Sequence, residues 1–310
     1  MLIDLLLLAV GIAMLSVGGD SLIRGAVATA RRLGISPLLT GLVIVGFGTS
    51  APELVVSIDA AFSGSPDIAI GNVVGSNISN TLLILGISAL ITPMVIKPLA
   101  LRRDGLVVVG ASVLFIILAY TGQLLSRIDA LILLLCLGGY LIWAYQSEKD
   151  HDTPESAMHE AEAGEISKLP HSVMFTAVAV TGGLLLMIAG SRLLLTGAVS
   201  IATDLGIPEA VIGLTLVAVG TSLPELSIAV IAAIRKHADV AVGNILGSNI
   251  FNLLAILGTA ALVHPLPVAG RILLFDQWFM LGSALLLMIF LYTGMRLSRA
   301  EGGMLLTAYG

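Results

Sequence analysis

The sequence predicts an all-α polytopic membrane protein of about ten transmembrane helices, arranged as two inverted five-helix repeats. Three observations lead there: composition, internal duplication and the sidedness of the basic residues. Hydrophobic residues make up 57% of the 310 and charged residues 11%, with a mean hydropathy of +1.05, well outside the usage of an average soluble domain. Leu-, Ile-, Val- and Ala-rich stretches of spanning length recur along the whole chain, broken by short polar segments, whereas a transmembrane barrel would alternate. The net charge of −5 comes partly from one acidic segment, 147–168, and so indicates no partner; nothing suggests nucleic acid.

The duplication has a constant offset of 172 residues and needs no gap. GLVIVGFGTSAPEL (41–54) returns as GLTLVAVGTSLPEL (213–226), and GNVVGSNISN (71–80) returns as GNILGSNIFN (243–252). The same offset pairs Gly25-Ala26 with Gly197-Ala198, Pro93 with Pro265 and Asp104 with Asp276. Repeats of this kind set the architecture before any motif is read. The first repeat is 1–146, an acidic linker occupies 147–172, and the second repeat is 173–310.

Taken in order, the first repeat holds spans at about 2–22, 37–62, 68–92, 105–122 and 128–145. The first lacks the basic n-region of a cleavable signal peptide and is kept as a span. The offset places counterparts at 174–196, 209–234, 240–264, 277–294 and 300–310. The second, third, seventh and eighth are expected to be broken helices. The last is expected to be truncated, because Gly310 matches Gly138, whose helix runs on. An odd number of spans per repeat inserts the second copy with opposite orientation. Twelve of the fifteen basic residues then fall on one side, against Arg127, Arg192 and Arg271 on the other; this places the linker in the cytoplasm and the N-terminus outside. A prokaryotic inner (plasma) membrane is the expected location.

Gly48-Thr49-Ser50-Ala51-Pro52-Glu53 sits near the middle of the second span and Gly220-Thr221-Ser222-Leu223-Pro224-Glu225 near the middle of the seventh. Proline has no N–H and crowds the carbonyl four residues back, so each helix should break there. A carboxylate near the bilayer midplane costs about 2.5–3.5 kcal/mol, and no Lys or Arg lies within a turn or two of Glu53 or Glu225. Inverted symmetry should bring the two together at the repeat interface. The third and eighth spans add polar stripes, Asn72, Ser76 and Asn80, repeated as Asn244, Ser248 and Asn252. Carboxylates, hydroxyls, amide oxygens and freed carbonyls form an all-oxygen set suited to Ca²⁺ and Na⁺ rather than to zinc or copper.

Blander readings stand beside these. Gly, Ser and Asn also serve as packing glue between membrane helices, an equal alternative for Asn72, Asn77, Asn244 and Asn249, whereas packing does not require a midplane carboxylate. Asp67 and Asp239 read as helix caps. His151, His159 and His171 lie in or beside the linker, and Cys136, the single cysteine, reads as packing.

GTSAPE and GTSLPE, with GNVVGSNISN and GNILGSNIFN, resemble the paired α-repeats of the Ca²⁺/cation antiporter superfamily, in particular its bacterial and archaeal sodium/calcium exchangers. The resemblance covers nearly the whole chain. It implies ten helices and an antiporter, not an enzyme, with Ca²⁺ and Na⁺ as transported ions and no cofactor. Carried over by position, Glu53 and Glu225 would bind Ca²⁺ with the carbonyls of Thr49 and Thr221. Ser50, Ser76, Ser222 and Ser248, with the carbonyls of Gly46 and Ala218, would build flanking Na⁺ sites, and Asn80 and Asn252 would complete the centre. Some relatives carry an aspartate at the position of Asn252, so this chain offers two carboxylates rather than three. A Ca²⁺/H⁺ antiporter is the alternative reading, and a cation channel a weaker one, since channel acids usually ring a multisubunit pore.

Overall fold

The computed structural model describes residues 2–32, 46–95, 98–148, 173–234, 238–294 and 296–310. Almost all of it is helix. Leu2–Arg32 forms α1; the second span is described as α2 (Gly46–Thr49) and α3 (Ala51–Phe62). Pro66–Ile78, a π-helical turn Ser79–Ile84 and Leu85–Ile91 run on as one helix, α4. Then come α5 (Pro98–Gly122) and α6 (Arg127–Glu148).

In the second half, α7 is Val173–Leu205, α8 is Glu209–Thr221 and α9 is Leu223–Ile234. Ala238–Phe251, a π turn Asn252–Ile256 and Leu257–Val263 form α10. The π turn Ile272–Asp276 and Gln277–Gly294 form α11, and Arg299–Tyr309 forms α12. Two-residue strands Met94–Val95 (β1), Leu124–Leu125 (β2), Leu266–Pro267 (β3) and Arg296–Leu297 (β4) pair antiparallel as β1 with β4 and β2 with β3. The offset of 172 carries each pair onto the other.

Among the described residues, seven helices are long and apolar enough to cross a membrane, and α8 with α9, bent by 49° at their junction, makes an eighth. The chain is a multi-pass membrane protein. Large apolar side chains such as Leu6, Leu135, Leu185 and Leu274 stand exposed on its periphery, the surface that lipid covers. Part of the expected second span and nearly all of the 147–172 linker, with His151, His159, His171 and His237, lie outside the described residues.

Four expectations change. The first and sixth spans run to Arg32 and Leu205 rather than ending at 22 and 196; at 31 and 33 residues they measure about 46 and 50 Å at 1.5 Å per residue, longer than the hydrocarbon core. The polar turns beyond the apolar stretch stay helical: Asp20 and Arg24 pair across one turn at 2.8 Å. α7 stops at Gly206, whose φ of +64° allows Ile207 N–H to reach back to the Ala202 carbonyl at 2.9 Å, a Schellman closure.

The third and eighth helices do not break as the second and seventh do. Neither has an internal proline past its first turn, and each absorbs its irregularity as a π turn; such turns concentrate at functional sites. Asp67 lies in the first turn of α4 rather than at its cap, which is Ser65, and Cys136 is exposed rather than packed inside.

The centre is α4 and α10. Residues 68–82 and 248–258 are buried without interruption, and α3, α8 and α9 pack around them. α1 and α7 lie together along most of their length, on a seam of glycines seven residues apart in each helix: Gly11, Gly18 and Gly25 against Gly183, Gly190 and Gly197. A Cβ on Gly183 would stand 2.7 Å from the Gly18 carbonyl oxygen, and one on Gly11 2.7 Å from that of Gly190. Only glycine allows backbones this close, the small-residue device of membrane helix pairs.

Candidate functional site

The site begins with two helix breaks of nearly identical shape. Ser50, between α2 and α3, has φ −87° and ψ 9°; Ser222, between α8 and α9, has φ −82° and ψ 11°. Pro52 and Pro224 occupy the second position of the following helix, where a missing N–H costs nothing. This is the expected break, and it places Glu53 and Glu225 in the first turn of α3 and α9. Both glutamates are fully buried. Among the described residues neither has a cationic partner.

The two breaks exchange hydrogen bonds. Ser222 Oγ donates to Glu53 Oε1 at 2.9 Å, and Ser50 Oγ to Glu225 Oε1 at 3.3 Å. Ser248 Oγ also donates to Glu225 Oε1 at 3.3 Å and lies 3.4 Å from Thr49 Oγ1. Ser76 Oγ donates to the Ala218 carbonyl at 3.4 Å. Gly46, the repeat partner of Ala218, opens α2 one turn before Ser50. Thr221 Oγ1 donates to Asn72 Oδ1 at 3.1 Å, and Asn72 Nδ2 ties α4 to α3 through the Glu53 carbonyl (3.2 Å) and Ser57 Oγ (3.0 Å).

On the π turns, Asn80 Nδ2 donates to Asn249 Oδ1 and Asn252 Nδ2 to Asn77 Oδ1, both at 3.1 Å. The structure thus gathers these side chains into two buried clusters, each crossing between the repeats: Glu53 with Ser222, Asn72, Thr221, Ser76 and the Ala218 carbonyl, and Glu225 with Ser50, Ser248 and Thr49. Asn80 and Asn252 cross-link the same two central helices, α4 and α10.

Seven buried side-chain atoms among the described residues have no hydrogen-bond partner, and four of them are repeat-related acceptors: Glu53 Oε2, Glu225 Oε2, Asn80 Oδ1 and Asn252 Oδ1. A buried acceptor without a donor costs about 1–3 kcal/mol, more when charged, so four within two motifs point to an electrophilic guest. No group of three or more His, Cys, Asp or Glu gathers among the described residues; the donors are two carboxylates with hydroxyl, amide and carbonyl oxygens. That set matches a hard cation with flexible oxygen coordination.

Some participants escape sequence reasoning. Ser57 and Asp59 face positions that the offset gives to Ala229 and Ile231. Ser191 Oγ of α7 donates to Asp59 Oδ2 at 2.9 Å, while Asn244 Nδ2, which lacks the hydroxyl Asn72 finds in Ser57, has no partner. The two halves are not mechanically equal: Ser57 and Asp59 tie the body of α3 to α4 and α7, while Ala229 and Ile231 at the matching positions of α9 carry no hydrogen-bonding side chain. The signal for this was present in the repeat alignment, as a mismatch rather than a match.

Comparison with known proteins agrees with these features. The family model described as "Sodium/calcium exchanger protein" matches residues 3–146 and 175–310. The chain is 33% identical to the sodium/calcium exchanger MaX1 of Methanosarcina acetivorans, over 99% of this chain and 96% of that protein. It is 36% identical to the inner membrane protein YrbG of Escherichia coli, over 86% and 81% respectively. Among solved structures it resembles the sodium-calcium exchanger NCX_Mj soaked with 2.5 mM Na⁺ and 0.1 mM Sr²⁺, with a TM-score of 0.65, 30% identity and coverage of 99% of this chain and 97% of that one. The chain belongs to the sodium/calcium exchanger family of membrane transporters.

Proposed function

We propose that the chain is a secondary antiporter that exchanges Ca²⁺ for Na⁺ by alternating access, with Glu53 and Glu225 as the shared Ca²⁺ ligands. The observation that carries this is the set of four buried, unpartnered acceptors, two of them carboxylate oxygens, at the junction of the two repeats. Ser50, Ser76, Ser222 and Ser248, with the Gly46 and Ala218 carbonyls, flank the glutamates as Na⁺ ligands; the Thr49 and Thr221 carbonyls join the Ca²⁺ site, and Asn80 and Asn252 close it. Two ionised glutamates neutralise one Ca²⁺ or two Na⁺. A third Na⁺ leaves the site at +1, so exchange of three Na⁺ for one Ca²⁺ is electrogenic.

Na⁺ entering the flanking positions displaces Ca²⁺ by competing for the same carboxylates. The smooth glycine seam supports movement of α1 and α7 as a pair against the core of α3, α4, α8, α9 and α10. The sidedness of basic residues puts the N-terminus outside and the 147–172 linker in the cytoplasm, with the two repeats inverted about the site. An inward Na⁺ gradient then drives Ca²⁺ export across a prokaryotic inner membrane.

The test is ⁴⁵Ca²⁺ uptake into proteoliposomes loaded with Na⁺, K⁺ or acidic buffer. Uptake driven by internal Na⁺ alone supports the proposal. Uptake driven by internal protons alone replaces it with a Ca²⁺/H⁺ antiporter, and uncoupled, non-saturating flux replaces it with a channel.

A further inference from the structure

We propose that Asn77 and Asn249 are positioning residues that orient the two asparagine ligands, each from the opposite repeat. The inference rests on the assignment of Asn80 and Asn252 to the ion site. An amide side chain has a donor end and an acceptor end, and the bonds made by one end decide what the other presents. Asn80 donates through Nδ2 to Asn249 Oδ1, and Asn252 donates through Nδ2 to Asn77 Oδ1, both at 3.1 Å. Those bonds consume the donor ends and leave Asn80 Oδ1 and Asn252 Oδ1 buried and unpartnered, the form a cation requires. Rotated by half a turn, either amide would offer its NH₂ group instead, which repels a cation.

The positioning residues are themselves held. Asn249 Nδ2 donates to Thr81 Oγ1 at 3.0 Å. Asn77 Nδ2 donates to the Asn249 carbonyl at 3.4 Å and lies 3.7 Å from Met280 Sδ. All four asparagines are 3% exposed or less, so no bulk water can replace a lost partner. The arrangement is crossed, since each repeat's ligand depends on the other repeat's clamp, and neither half can present both oxygens alone. It is also unequal: Thr81 corresponds to Leu253 in the second repeat, so Asn249 is anchored by a hydroxyl at 3.0 Å, and Asn77 by a longer bond to the Asn249 carbonyl at 3.4 Å with a weak thioether contact. Asn80 is therefore the better fixed of the two ligands.

The test is equilibrium ⁴⁵Ca²⁺ binding to the detergent-purified full chain, with thermal unfolding measured in parallel. Asn77→Leu and Asn249→Leu, close in volume but without an acceptor, are expected to weaken Ca²⁺ binding by about 10- to 100-fold, the range for groups that orient metal ligands. Asn249→Asp keeps the acceptor for Asn80 and accepts from the Thr81 hydroxyl, and is expected to bind far better than Asn249→Leu. The crossing makes a sharper forecast: Asn77→Leu adds nothing to Asn252→Ala but adds fully to Asn80→Ala.

Unchanged binding in both leucine variants, with binding weakened in Asn80→Ala and Asn252→Ala, overturns the positioning role and leaves the ion site standing. Unchanged binding in Asn80→Ala and Asn252→Ala removes the ligand assignment and this inference with it. If a leucine variant does not fold, Asn77→Asp and Asn249→Asp decide: retained binding supports the clamp, and lost binding in folded protein overturns it.

Discussion

Replacing Glu53 with glutamine changes one charge and almost no volume at a position with no exposure to solvent. Ser222 Oγ, 2.9 Å from Oε1, can still donate to the amide oxygen, so the helix break and its cross-repeat bond survive. What is lost is the unpartnered Oε2, which becomes an NH₂ donor. A bound Ca²⁺ then sits against one carboxylate instead of two. Removing one partner of a buried charge pair costs about 3–5 kcal/mol. At 1.4 kcal/mol per decade this weakens Ca²⁺ binding by between about 10²- and 10⁴-fold. The assay is Na⁺-driven ⁴⁵Ca²⁺ uptake in proteoliposomes at matched protein incorporation, with Glu225→Gln alongside. Uptake should fall to the protein-free background at Ca²⁺ concentrations that saturate the parent protein. Uptake by Glu53→Gln with unchanged half-saturation would refute both the two-carboxylate site and the charge argument for its stoichiometry.

Four further outcomes follow from the structure. Ser222→Ala removes a short hydrogen bond to a carboxylate, worth about 1.5–3 kcal/mol, and should raise the half-saturating Na⁺ concentration by about tenfold or more; an unchanged Na⁺ titration counts against the flanking-site assignment. Gly190→Ala places a Cβ 2.8 Å from Met14 Cβ and 2.9 Å from the Gly11 carbonyl oxygen, whereas Gly182→Ala meets nothing within 4 Å, so only the first should lower the thermal midpoint in detergent, by the equivalent of about 1–3 kcal/mol. Asp104, bound by Arg103 at 2.7 Å and by Tyr140 Oη at 3.2 Å with the ion pair nearly buried, should destabilise the fold by roughly 3 kcal/mol on change to Asn. Asp20→Asn, which breaks the exposed pair with Arg24, should cost under about 1 kcal/mol in the same melt.

The amino-acid sequence by itself determined the membrane class, the repeat and which oxygen-bearing side chains the candidate site contains. Hydropathy reports burial in lipid directly, and a 172-residue offset without gaps leaves little freedom in how two copies align. Proline beside a buried acid in each copy marks where the helix opens and what waits there. These are local or self-similar properties, and a one-dimensional pattern carries them.

Only the tertiary structure decided which side chains meet. The offset relates Ser50 to Ser222 and Asn77 to Asn249, but hydrogen bonds join Ser50 to Glu225 and Asn77 to Asn252, partners that no periodicity links. It also replaced two expected helix breaks with π turns and carried α1 and α7 far beyond their apolar cores. It exposed the inequality between α3, held by Asn72, Ser57 and the Ser191–Asp59 bond, and α9, where Ala229 and Ile231 make no such ties. The physical reason is range: propensity and hydropathy act within a few residues, while hydrogen bonds between groups more than a hundred residues apart exist only once the packing of α4 against α10 has brought them within 3 Å or so.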